Sequence, residues 1–174
     1  MTDIIRKRRS IREFSSQDIP QDRINILLDA AMRGPSCVNS QDWVFIVVKN
    51  KETINQMAES NGKSAQPLKK ANTAVLVCAD FSKSYKGAKD YWIIDCSIAC
   101  QNLILAATEL GIGSLWLGTY PQKEKVNGIQ KIFSLPDDII PHSIIALGYP
   151  LDEKEMELGS RSQFDSTKVH YEKW

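Results

Sequence analysis

Two hydrophobic periods run through this chain. Ile24, Leu27, Leu28 and Ala31 recur at the three- and four-residue spacing of one helix face, which predicts an amphipathic helix over about 21–33. Pro20 suits its start, because a first turn loses nothing by a missing N–H, and Gly34-Pro35 ends it. Short β-branched and aromatic runs predict strands at 43–48 (WVFIVV), 74–79 (AVLVCA), 114–117 (SLWL) and 143–149 (SIIALGY). Asn50 is placed to cap a helix over roughly 51–59. Further helices are expected over 3–9 and 122–133. A long one over about 88–110 should close at Gly111, and being apolar over much of its circumference it should be central and buried. Helices and strands alternate imperfectly, so the class is α+β or mixed α/β, with one sheet and helices on both faces.

The 174 residues suit a single domain spanning 1–174, with no repeat or linker to divide it. The 22 Lys and Arg against 21 Asp and Glu leave a net charge of +1, which argues against a coat for nucleic acid and makes local clustering decisive. Cys37, Cys78, Cys96 and Cys100 form no CxxC pair. Cys96 and Cys100 share a helix face, but two thiols are too few for structural zinc, so no metal is expected and the cysteines read as packing residues in a reducing compartment. The first residues carry no apolar signal-peptide run, and the uncharged stretch 96–108 is shorter than the roughly 20 residues that span a bilayer. A cytoplasmic protein without membrane or nucleic-acid partners is expected. The polar stretch 152–174 ends in Val169-His170-Tyr171-Glu172-Lys173-Trp174. That aromatic terminus should dock, a second copy of the chain being one surface that would cover it.

No GxxxxGK[ST], HExxH or GxSxG motif is present, and the Gly111-Ile112-Gly113 string does not fit GxGxxG. His142 and His170 are the only histidines, so chemistry built on His has little to work with, and both read as structural or surface residues. The strongest local signal is Arg6-Lys7-Arg8-Arg9-Ser10-Ile11-Arg12-Glu13-Phe14. Arginine forks with one serine hydroxyl suit a dianionic phosphate monoester, although a solvated basic patch or a localisation tag shares the composition. The second signal is Gly34-Pro35-Ser36-Cys37-Val38-Asn39-Ser40-Gln41-Asp42-Trp43. It can aim amides at a planar ligand edge, or simply connect a helix to a strand. Trp43 reads as core, Trp116 as core or stacking surface, and Asp95 and Asn102 as satisfied structural groups on the long helix.

These two segments, in this order, resemble the FMN-dependent nitroreductase family. The resemblance continues through Asp95, Gln101-Asn102-Leu103, 106–113 (AATELGIG), Trp116-Leu117-Gly118, Pro136, 145–150 (IALGYP) and 168–174 (KVHYEKW). It implies a three-layer α/β/α sandwich with a central mixed, largely antiparallel sheet and an extended C-terminal arm. It implies FMN held at the interface of a homodimer, with Arg8, Ser10 and Arg12 on the phosphate and pyrimidine edge, Arg9 beside them, and Arg161 reaching in from the arm. Pro35, Ser36, Cys37, Asn39 and Gln41 would line the ring from the other subunit, and Leu115, Leu117 and Gly118 would place backbone near flavin N5. The implied activity is hydride transfer from NAD(P)H through the flavin to an electron-poor small molecule, a nitroaromatic or quinone, in ping-pong order and with no catalytic side chain. The alternatives are another flavin chemistry on the same scaffold, such as dehalogenation or flavin fragmentation, and a non-enzymatic flavin sensor. Two departures stand out: Asp42 where the family commonly has Pro, and Gln163 where its arm often has a second basic residue, which predicts weaker FMN binding.

Overall fold

Period-two alternation in the two middle strands separates the molecule into layers. In the computed structural model, which describes residues 2–88 and 90–174, the four strands are β1 (Trp43–Val48), β2 (Thr73–Asp80), β3 (Gly113–Gly118) and β4 (Ile139–Gly148). They pair antiparallel throughout in the order β1-β2-β4-β3. Val75, Val77 and Ala79 of β2 join Ile145 and Leu147 of β4 on one face, beneath α2 (Gln21–Met32) and α4 (Tyr91–Glu109). Ala74, Leu76 and Cys78 join Ile144 and Ala146 on the other, against α3 (Lys51–Asn61) and α5 (Lys123–Phe133). The three-layer α+β sandwich is therefore present. The parallel component expected of a mixed sheet is reduced to one isolated bridge, Ser10 with Ser114.

Local chemistry explains the boundaries. The Asn50 side chain accepts from Thr53 N at 2.9 Å and caps α3. Gly111 takes φ +69 beyond α4, and Ile112 N donates back to Ala107 O at 2.8 Å, closing the helix. α4 has the length and hydropathy of a membrane span, but half of it is buried, with Cys96, Ala99, Cys100 and Leu103 in the core. The helix expected from residue 88 begins at Tyr91, and Lys89 lies outside the described residues.

β4 starts four residues earlier than its pattern suggests. Pro141 reads as a strand breaker, since it cannot donate to a ladder. Here Val77 pairs with Ser143 and Cys78 with Pro141, so His142 is the extra residue of a bulge that accommodates the proline inside a central strand. A 3-10 segment over Lys63–Lys70, with Pro67 inside it, has no counterpart in the sequence reading.

The first helix, α1 (Thr2–Lys7), stops short of residue 9 because the chain turns extended to strap the sheet. Ile11 N donates to Ser114 O at 2.9 Å, Ser15 N to Tyr149 O at 2.8 Å, and Leu151 N to Glu13 O at 3.1 Å. Ile11 is fully buried, and a Cβ added at Gly113 would fall 3.0 Å from its side chain. After the short α6 (Lys154–Glu157), residues 161–174 lie exposed on the single chain, with the Trp174 ring stacked on His170 at 4.4 Å. Among the described residues nothing covers the aromatic terminus. Ile11→Ala should cost about 2–5 kcal/mol in urea unfolding, the range for emptying a buried aliphatic site.

Candidate functional site

Four arginines meet at one end of β3. A cleft of about 160 Å³ is lined by Arg8, Arg9, Ser10 and Arg12 from the strap and by Gly159, Ser160, Arg161 and Ser162 from the C-terminal segment. Burial of Ile11 turns its neighbours Ser10 and Arg12 to the opposite side of the extended segment. Two backbone features bring the distant segments together. Ser160 N donates to Arg6 O at 2.6 Å. Gly159 has φ +62, and a Cβ there would fall 2.7 Å from Arg6 O, so only glycine fits. Arg9 donates to Gly159 O at 3.5 Å, and Arg12 to Ser10 O at 3.3 Å. Among the described residues, none of the ion pairs engages Arg8, Arg9, Arg12 or Arg161. A polar cleft with this much uncompensated positive charge suits a multiply charged anion. The sequence-predicted Arg8, Arg9, Ser10, Arg12 and Arg161 all line it, whereas Gln163 does not.

The other end of β3 carries Gly118. Its backbone has no positive φ, and a Cβ added there would meet nothing nearer than Tyr120 O at 4.0 Å. Neither conformation nor packing within the chain requires glycine at this position. Glycine in a strand without such a reason marks close approach by another group. Because Ser114 O leaves the sheet toward Ile11, alternation along β3 turns the polar backbone of Ser114, Trp116 and Gly118 to the open edge and that of Leu115 and Leu117 toward β4. The Leu115 and Leu117 side chains are buried with the α3–α5 layer. Of the three predicted positions, Gly118 alone turns its backbone to the open edge of β3.

The loop between α2 and β1 is built as a rigid projection. Val38, Asn39 and Gln41 all take positive φ, and Val38 and Asn39 are exposed. The Asp95 carboxylate, 2% exposed, accepts from Cys37 N at 3.1 Å through both oxygens and from Ser40 Oγ at 3.4 Å. Ser36 Oγ accepts from Gln41 N at 3.0 Å, and the Gln41 amide donates to Asn39 Oδ1 at 2.9 Å. Burial pushes the Asp95 pKa up against the opposing pull of the Cys37 N–H. Burial, then the Asp95 and Asp42 charges, raise the Cys37 thiol, which disfavours a thiolate nucleophile. Asp42, the departure from the family pattern, is buried and accepts from Ser84 Oγ at 2.6 Å, tying the loop to the turn after β2. Pro35, Ser36, Cys37, Asn39 and Gln41 are brought together by this loop, but none lines the arginine cleft of its own chain.

Three residues around Gly118 carry no motif in the sequence. Asn61, at the end of α3, donates through Nδ2 to Gly118 O at 3.2 Å and accepts from Thr119 Oγ1 at 3.0 Å. The bulge carbonyl of His142 accepts from Thr119 N and Tyr120 N, each at 3.1 Å. The Asn-Gly pair at 61–62 was the available signal for the first, as a helix end in need of an explanation.

The chain is similar to known proteins in both sequence and fold. The fold is that of an FMN-dependent nitroreductase from Clostridium difficile R20291, at TM-score 0.89 and 30% identity over all of both chains. The nitroreductase family model matches residues 5–82 and 60–149, and this chain belongs to that family. It is 43% identical over 170 residues, 98% of this chain and 85% of the other, to a "Putative NADH dehydrogenase/NAD(P)H nitroreductase" of Methanothermobacter thermautotrophicus. It is 26% identical over 164 residues, 83% of this chain and 63% of the other, to an NAD(P)H-dependent FMN reductase of Bacillus subtilis.

His142 gives this end of the sheet a pH signature. Burial holds its pKa down to about 4, with Ser97 Oγ 3.3 Å from Nε2 and the Trp92 and Trp116 rings beside it. A depressed folded-state value means that the native state binds fewer protons than the unfolded chain below about pH 6.5. Its stabilisation is complete above that pH and is lost as pH falls toward 4, amounting to about 3 kcal/mol. Asp95, with its raised value, works in the opposite direction. His142→Gln should therefore flatten the fall in unfolding free energy between about pH 6.5 and 4, read by urea titrations across that range.

Proposed function

We propose that this chain is an NAD(P)H-dependent FMN oxidoreductase that works as a cytoplasmic homodimer and reduces electron-poor small molecules such as nitroaromatics or quinones. The observation that carries this reading is the arrangement along β3. An arginine cleft for a phosphate monoester sits beside Ser114, and clearance for a planar group lies at Gly118 four residues on. That separation is on the order of 13 Å along the strand, a span suited to a phosphate and a ring joined by a short polyol. FMN has that shape, and both the FMN-dependent structural neighbour and the FMN reductase relative support the choice.

In this reading Arg8, Ser10, Arg12 and Arg161 hold the phosphate, and Arg9 joins them while bracing the Gly159 carbonyl. Gly118 leaves room for the ring edge. Pro35, Ser36, Cys37, Asn39 and Gln41 belong to a loop that does not line its own cleft, and in this reading a second copy supplies them to the neighbouring ring. Exposed Ile26, Met32 and Ile94 on α2 and α4 offer an apolar surface for that contact. The bare C-terminal aromatics offer another. All four cysteines are free thiols, in keeping with a reducing compartment. When bound, FMN supplies the hydride-accepting and electron-donating chemistry, so the protein's work is binding, orientation and exclusion of water. Reductant and acceptor using one face in turn would give ping-pong kinetics.

The purified protein should show flavin absorption, or gain it on addition of FMN, and the bands should bleach when NADH or NADPH is added without air. A colourless protein that takes up no FMN would sink the reading. Turnover with a quinone separates an enzyme from a flavin sensor. Arg161→Ala should weaken FMN binding by roughly 10- to 100-fold, the range for a charge-assisted contact, as measured by flavin fluorescence. Gly118→Val should keep unfolding free energy within about 1 kcal/mol of wild type yet exclude the flavin.

A further inference from the structure

The structure spends a fully buried amide on one peptide. Asn61 is 1% exposed and Thr119 0%. Both polar atoms of the Asn61 side chain are directed at Gly118-Thr119: Nδ2 donates to Gly118 O at 3.2 Å, and Oδ1 accepts from Thr119 Oγ1 at 3.0 Å. The end of α3 does not need that side chain, because Gly62 N already donates to Ala58 O and Glu59 O, each at 3.1 Å. From the opposite side the bulge carbonyl of His142 accepts from Thr119 N and Tyr120 N, each at 3.1 Å. An apolar residue at 61 would avoid burying an amide, so an arrangement in which each polar group finds a partner on one strand end points to a demand for fixed orientation.

We infer that Asn61 and Thr119 are positioning residues for the reactive edge of the flavin, acting by clamping the Gly118 peptide. The inference rests on the flavin reading above. Asn61 holds the carbonyl of the 118–119 peptide and His142 O holds its N–H, that of Thr119, so this peptide cannot swing. Gly118 is thereby fixed on its C-terminal side and by the β3 ladder on its N-terminal side, and its own N–H stays turned to the open edge of β3, beside the clearance that the missing side chain leaves. A donor fixed there before the ligand arrives costs no reorganisation when charge develops on the ring edge. The clamp thus contributes to affinity and to the ease of reduction, in addition to any contribution to folding.

Thr119→Val removes one hydroxyl at nearly constant shape, and Asn61→Asp replaces the donor to Gly118 O by an oxygen. Both should speed hydrogen exchange at the Gly118 amide of the flavin-free protein by tenfold or more, read residue by residue by NMR. Both should weaken FMN binding by roughly three- to tenfold, the scale of one neutral hydrogen bond, and shift the midpoint potential of the bound flavin. Ile24→Val, a core truncation under α2 on the face of the sheet opposite α3, serves as the control for general destabilisation and should leave all three readouts at wild-type values. Unchanged affinity and potential in Thr119→Val and Asn61→Asp, or equal shifts in Ile24→Val, would overturn the clamp while leaving the flavin reading intact. A wild-type protein that takes up no FMN would overturn the flavin reading, and this inference with it.

Discussion

The contact between Ile11 and the start of β3 sets the geometry of the rest. A side chain buried to completion holds an extended strap against the start of β3, where Gly113 leaves it room. Once Ile11 is inside, Ser10 and Arg12 must face out, because an extended chain alternates. The arginines are therefore not a floating basic tail. They are tied to the same strand whose far end carries Gly118, and a single rigid element relates the two halves of the site. The C-terminal segment joins through Ser160 N on Arg6 O and through the Arg9 side chain on Gly159 O, which brings Arg161 to the cleft.

Burial of polar groups is expensive unless each is satisfied, and the fold concentrates that expense around the loops and strand ends of the site. Asp42 and Asp95 support the projecting loop, Asn61 and Thr119 the Gly118 peptide, and Ser143 accepts the Trp116 indole N–H at 2.7 Å. The deep interior of the sheet, by contrast, is aliphatic on both faces. Such a distribution stiffens the places where a ligand would touch and leaves general stability to hydrocarbon packing. It also explains Asp42 in place of a proline: an Asp can hook Ser84 and so tie the loop to the β2–α4 turn, which a proline side chain cannot do.

Legibility in the sequence followed the same division. β1 is recovered to the residue, and β2, β3, α2 and α5 to within one, because one-sided or two-sided burial imposes a period that local composition records. The arginine cleft was legible as a cluster because arginine forks and a serine make a recognisable chemistry, and Arg161, named by resemblance, lines it too. What was not legible depends on contacts between segments distant in the chain. Pro141 hid the first four residues of β4, since nothing local announces that β2 will accept a bulge there. Leu115 and Leu117 were named for their backbone, but the direction of that backbone is fixed by which neighbour takes Ser114 O, a fact of tertiary pairing. Asn61 carries no motif because its meaning lies 57 residues away, at Gly118.

Inserting His142 between Pro141 and Ser143 does two things at once. It lets a proline sit in a central strand. It sends the imidazole into a dry aromatic setting beside Trp92 and Trp116, where burial keeps the ring neutral near physiological pH. On its other edge the strand stays regular: the register that pairs Gly118 with Ser143 sets Thr119 opposite His142, and the His142 carbonyl takes the Thr119 and Tyr120 amides. The irregularity that conceals the start of β4 in the sequence is therefore confined to the β2 side, and the ladder to β3 runs on past it to hold the chain just beyond Gly118.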